Sequence, residues 1–200
     1  MIPFMSLGQT RIGLKVGYGI SNFTKNPDHI NRLAPSIGFI GNFPISKSIS
    51  IQSEIIYTLK GAGNYINDQA RYGGYGAADT VLTRPAGIHR YDYELNFLEI
   101  PLLFKYNNKG FYANAGISLS FLIFGKKKYD WYFDSKGKVY EKLDNLTGVD
   151  IPFIVSIGYE WKIKKERLFI EARFTKGNIN VFTDSNYKLN NLSLIAGFYF

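Results

Sequence analysis

From Arg11 to Phe200, apolar residues recur at every second position in eight segments, near 11–23, 34–43, 49–60, 93–106, 110–122, 151–162, 166–176 and 190–200. A period of two marks a strand whose two faces meet different surroundings. In the first segment Ile12, Leu14, Val16, Tyr18 and Ile20 alternate with Arg11, Gly13, Lys15, Gly17 and Gly19. The third sets Ile49, Ile51, Ile55, Tyr57 and Leu59 against Ser50, Gln52, Glu54, Thr58 and Lys60, and the fifth, sixth and seventh repeat the scheme. In the last, Leu192, Leu194, Ala196, Phe198 and Phe200 share one face. The fourth segment, YELNFLEIPLLFKY, breaks phase: Tyr93, Leu95 and Phe97 fit one register, while Leu98, Ile100, Leu102, Phe104 and Tyr106 fit the other. One extra residue near Phe97–Leu98, a β-bulge, would restore a common apolar face and would accommodate Pro101, which has no N–H to donate.

The connections alternate in length. The second, fourth and sixth (PISKS, NNK, IKK) are short and polar, as tight hairpins are. The others are longer, above all the third (61–92) and the fifth (123–150). With consecutive strands antiparallel, every short link falls at one end and every long link at the other, the habit of outer-membrane barrels. The fifth link contains Asp134-Ser135-Lys136-Gly137 between two alternating runs, so a hairpin projecting past the barrel rim is expected there.

Alternation does not say which face is inside, and a soluble lipocalin-like barrel carrying an apolar ligand is the competing reading. The polar face is rich in Gly13, Gly17, Gly19, Gly38, Gly116, Ser118, Ser120, Ser156, Gly158 and Gly197. Solvent sets no size limit on a strand surface, whereas the inside of a narrow eight-stranded barrel does. On the apolar face aromatic residues gather at both ends, with Phe43, Tyr106, Phe111, Tyr159, Trp161 and Phe200 at the short-turn end. Phe23, Tyr57, Tyr93, Phe121, Phe153 and Phe174 gather at the other end. Two rings bracketing an aliphatic band match the girdles at membrane interfaces. The expected fold is therefore all-β, an eight-stranded antiparallel up-and-down transmembrane β-barrel with short periplasmic turns and long outer loops. Closing it requires the last strand to pair with the first, because an open edge in lipid leaves backbone groups unsatisfied.

Composition agrees. The chain has 200 residues, enough for one domain, with 20 Gly, 15 Tyr and 16 Phe favouring strands. Cysteine is absent and histidine occurs only at His29 and His89, so thiolate metal sites and disulfides are unavailable. No run approaches the roughly 20 apolar residues of a membrane-spanning helix. Residues 1–9, MIPFMSLGQ, read either as the remnant of a signal peptide or as an ordinary N-terminus, with the barrel domain over 10–200.

The stretches RIGLKVGYGISNF, ISIQSEIIYTLKG, GFYANAGISLSFLI and SIGYEWKIKKERLFIEARFTKG, and above all LEIPLLFKY at Leu98–Tyr106, resemble the PorT-type small outer-membrane β-barrel family. The resemblance implies an outer-membrane location in a Gram-negative cell and export by signal peptide. It also implies a C-terminal signal, Phe198 and Phe200, read by the barrel-insertion machinery. It carries over no catalytic residue and no cofactor.

No GxSxG elbow, P-loop or HExxH is present, and GAG and GGYG lack the strand-to-helix context that phosphate binding needs. His29 and His89 fall in expected outer loops. The polar faces do carry ions: Arg11, Lys15, Gln52, Glu54, Lys60, Glu94, Glu99, Lys105, Glu160, Glu171 and Arg173. Strand counting places Lys15, Glu54, Glu99, Glu171 and Arg173 at similar mid-barrel height, and charges so confined must pair. A side-chain-filled, non-enzymatic barrel follows, with a salt-bridge plug preferred to a conducting pore. The net charge of +8 and the run Lys126-Lys127-Lys128 point to an outer basic patch facing lipopolysaccharide rather than nucleic acid. Expected partners are outer-membrane lipid and lipopolysaccharide, the insertion machinery and an envelope protein bound through the outer loops, in a secretion or envelope-assembly role; the barrel itself is expected to be a monomer.

Overall fold

The computed structural model describes residues 9–24, 29–67, 88–130, 139–184 and 186–200. Among these described residues ten strands follow in order: β1 (Arg11–Phe23), β2 (His29–Pro44), β3 (Ile49–Asn67), β4 (Ile88–Asn108), β5 (Phe111–Asp130), β6 (Val139–Lys142), β7 (Val149–Asp150), β8 (Phe153–Ile163), β9 (Glu166–Lys176) and β10 (Leu189–Tyr199). Eight of them close a barrel in which every neighbouring pair is antiparallel: β1, β2, β3, β4, β5, β8, β9 and β10, with β10 returning to β1. The short β6 and β7 pair only with β5, beyond the eight expected strands. Closure runs from Gly13↔Tyr199 to Phe23↔Leu189, and the Phe200 N–H donates to the Ile12 carbonyl at 3.0 Å, so β1 and β10 leave no open edge along that seam.

Sequence chemistry explains the short turns. Lys109 and Gly110 both have positive φ (51° and 93°), the conformation of a two-residue hairpin whose twist suits the flanking strands. Glycine at the second position avoids the penalty of a Cβ there. Between β2 and β3, the Ser46 hydroxyl accepts from the backbone N–H groups of Ser48 and Ile49 and tightens the link.

Orientation is unambiguous. Ile51, Ile117 and Ile157 are 37%, 51% and 68% exposed, whereas Lys15 and Glu171 are 2% and 1% exposed. Grease outside and ions inside is the reverse of a lipocalin, so the soluble carrier is overturned. An apolar outer belt of this extent is at home only in hydrocarbon.

The phase break in β4 has a different origin from the one expected. β4 runs through without an inserted residue, and the irregularity lies opposite: Asn96 pairs with Phe124 and Phe97 with Leu122, which leaves Ile123 of β5 as the extra residue. Odd-numbered positions of β4 thus face inward from Tyr93 to Lys105. Leu95 and Phe97 are buried in an internal cluster with Phe23, Ala62, Val181, Phe182 and Leu189, and Tyr93 packs against it. Phe23 and Tyr93, expected in the outer girdle, are therefore inside, while Tyr57, Phe121, Phe153 and Phe174 do face outward. The physical reason is that the lumen changes character along its length, and a strand following one straight register meets ions at one end and rings at the other.

The long-loop end is also more strand-rich than alternation suggested. β3 and β4 stay paired out to Asn67↔Ile88, so both ends of the third connection, 61–67 and 88–92, are ladder. β5 continues to Asp130 and pairs with β6, a hairpin arm as expected, although its Asp134–Gly137 turn lies outside the described residues.

Candidate functional site

The lumen is built in tiers. At its centre Glu54 accepts from Lys15 Nζ at 2.8 Å and from both terminal nitrogens of Arg173 at 2.7 and 2.8 Å. Gln52 also donates to Glu54, at 2.6 Å. Arg173 Nε turns to Glu171 at 2.7 Å, and the other oxygen of Glu171 accepts from Tyr112 and Asn114, each at 3.1 Å. The planar guanidinium satisfies two carboxylates at once, which a lysine ammonium would not do with the same geometry. Two cations meet two anions, all buried, and the glycines make room. At Gly158 a Cβ would lie 2.4 Å from the Tyr112 ring, so only glycine lets that tyrosine lie across the lumen to reach Glu171.

Toward the short turns a second group forms. Glu160 is bonded by Lys105 on one oxygen and by Arg167 on the other, the latter at 3.2 Å. Lys105 Nζ sits 3.9 Å from the Tyr112 ring centroid, which ties this tier to the central one. Arg11, also at this end, is half-buried and makes no ion pair among the described residues. Toward the long loops Glu99 leaves the central set: it pairs with Lys60 and accepts from Ser120 at 3.3 Å. Expected at a height similar to Lys15 and Glu54, it stands one step above Glu54, opposite Ile56. Lys60 lies 5.8 Å from the Phe97 ring, where ions give way to the apolar cluster.

That cluster is a stopper. The chain between β9 and β10 folds back so that Val181, Phe182 and Tyr187 pack onto the mouth, with Phe23 stacked on Tyr187 at 5.9 Å and edge-on to Phe182 at 5.8 Å. Thr147 N–H donates to Val181 O at 2.8 Å, joining this segment to the β6–β7 connection.

Outside the mouth, Glu94 is not a lumen residue: Arg32 and Lys126 hold it at 2.7 and 3.0 Å. Lys126, Lys127 and Lys128 lie within β5 and not in a loop, so alternation puts Lys127 on the opposite face from the other two. Lys126 stands 4.6 Å over the Tyr140 ring, and Lys127 4.3 Å over that of Tyr91. The backbones of His29 and His89 sit at strand ends, opposite Asn64 and Ile66. Phe198 and Phe200 both face outward.

Tyr112, Asn114, Tyr199 and Arg167 were not singled out as lumen partners. The available signal was an aromatic residue in a polar register, as at Tyr112 and Tyr199. For Val181 and Phe182 it was an apolar pair inside an otherwise polar connection.

A family model described as outer membrane protein beta-barrel domain matches residues 6–183. Among solved structures the chain is similar to Neisserial surface protein A, at 13% identity over 94% of this chain and 95% of that one, with a TM-score of 0.47. It is similar also to Ail, the attachment invasion locus protein of Yersinia pestis, solved with the heparin analogue sucrose octasulfate (11% identity, 96% and 97% covered, TM-score 0.45). A third similar structure is the outer membrane protease OmpT of Escherichia coli (10% identity, 99% of each chain, TM-score 0.40). No curated protein matches the chain.

Proposed function

Because the chain belongs to the outer membrane protein β-barrel domain family and resides in the bacterial outer membrane, we propose that it is a sealed, non-enzymatic, monomeric anchor whose work is done by the sheet extension at its long-loop end. The observation that carries this reading is the double filling of the lumen, with the Lys15–Glu54–Arg173–Glu171 network in the middle and the Phe23–Phe182 stopper above it. A tube closed twice is a poor channel and a rigid mount. Above the stopper, β3, β4, β5 and β6 present tyrosines interleaved with Lys126 and Lys127, a surface suited to phosphate-bearing lipopolysaccharide or to an envelope protein and not to nucleic acid. Within the family, the resemblance at Leu98–Tyr106 favours a PorT-type member. Outward Phe198 and Phe200 would be read by the insertion machinery during assembly.

Two measurements test the reading. Purified barrel in a planar lipid bilayer should give no steady conductance steps, and reproducible steps would overturn the sealed lumen. A pull-down from envelope extract should recover lipopolysaccharide or a partner with the intact chain and less with a variant lacking 126–142, whose barrel is checked by a heat-modifiability gel shift. Equal recovery would remove the extension from the function.

A further inference from the structure

At the short-turn end the lumen opens into a polar cavity of about 190 Å³ bordered by the start of β1, the β2–β3 turn and the ends of β4, β8 and β9. Four cations line it, Arg11, Lys47, Lys105 and Arg167, against one carboxylate, Glu160. Both oxygens of that carboxylate are already engaged, one by Lys105 and the other by Arg167. The other lumen tiers balance: Lys15 and Arg173 face Glu54 and Glu171, and Lys60 faces Glu99. This mouth, in contrast, holds an excess of positive charge. Like charges gathered in a half-enclosed space repel one another unless an anion joins them.

The arrangement is also suited to an oxyanion. Arg11 makes no ion pair among the described residues, so its planar fork of N–H donors is free for bidentate contact. The Ser46 hydroxyl accepts from two backbone N–H groups, at 3.4 and 3.1 Å, and keeps its own proton to donate. Glu160 is the one carboxylate facing these cations in the cavity, and it is bonded to Lys105 and Arg167 and not to Arg11.

We propose that this mouth is a binding site for a phosphate group, with Arg11 as its principal ligand and Lys47 and Arg167 as flanking cations. The phosphate belongs either to a small soluble phosphate compound or to the headgroup of a lipid in the adjoining leaflet, and the same donors serve both.

The test uses the full chain refolded in non-ionic detergent, titrated at low ionic strength with inorganic phosphate in one arm and with phosphatidylglycerol doped into the micelles in the other. Binding is read by calorimetry and by 31P line broadening. In at least one arm the native chain should bind saturably, Arg11→Gln should weaken binding at least tenfold, and Lys176→Gln, exposed at the far end of β9, should change it less than twofold. Response to inorganic phosphate assigns a soluble ligand; response to phosphatidylglycerol alone assigns a headgroup. Should Arg11→Gln not refold, Lys47→Gln, on the exposed turn, replaces it with an expected loss of about threefold. No saturable binding in either arm, or equal sensitivity to Lys176→Gln, overturns the site.

Discussion

The middle of the barrel and its outer mouth solve the same problem, filling a narrow tube, with opposite chemistry. In the middle, four buried ions and their hydrogen-bonding neighbours occupy the space, and glycine, serine and asparagine fit around them. At the mouth, rings and aliphatic side chains from β1, β4, β10 and the β9–β10 connection occupy it. The first filling is directional: each ion is useful only with its partner in place, and losing one strands another. The second is non-directional, and its cost on truncation scales with the volume removed. The contrast says that the centre specifies register while the mouth supplies bulk.

Removing one central charge breaks the contrast hardest. Glu54→Gln leaves Lys15 and Arg173 sharing Glu171 alone, and a cost of about 3–5 kcal/mol is expected in urea unfolding of the refolded barrel. A loss below about 1 kcal/mol would mean that the network is hydrated and not a structural centre. Phe182→Ala opens the stopper and should cost about 3 kcal/mol, with the heat-modifiability shift retained, since truncating apolar volume leaves no ion stranded. Gly158→Ala forces Tyr112 away from Glu171 and should cost about 2 kcal/mol by overpacking, visible as a lowered urea midpoint. Lys126→Gln removes a partly exposed partner of Glu94, which keeps Arg32, so stability should change by less than about 1 kcal/mol. Its effect should instead be on lipopolysaccharide recovery in the pull-down.

The eight barrel strands were legible because lipid imposes one rule on every outward position, and the bounds of β1 and β9 follow directly from alternation. The lumen ions were legible as types, since a charge in a transmembrane strand has nowhere to go but inward. Their pairing was less so: Glu99 and Arg173 have no sequence feature that assigns their partners, which strand stagger decides. The phase break in β4 was visible and misassigned. Counting Leu95 and Phe97 as outward assumes a lumen polar throughout, and the inward stopper violates that assumption. Ile123, the residue that in fact interrupts pairing, sits in the run Phe121-Leu122-Ile123-Phe124, where four apolar residues in a row hide the slip. Val181 and Phe182 act through a chain reversal that no periodicity encodes.

The wall of this barrel is not of even height. β3, β4 and β5 have 19, 21 and 20 residues, while β8, β9 and β10 have 11 each, a difference of about 30 Å along the strand. The molecule therefore has a front and a back, like a chair. Anything arriving from the cell's surroundings meets a backrest on one side and open air on the other, so rotation about the membrane normal, immaterial for a symmetric cylinder, decides whether an encounter is productive.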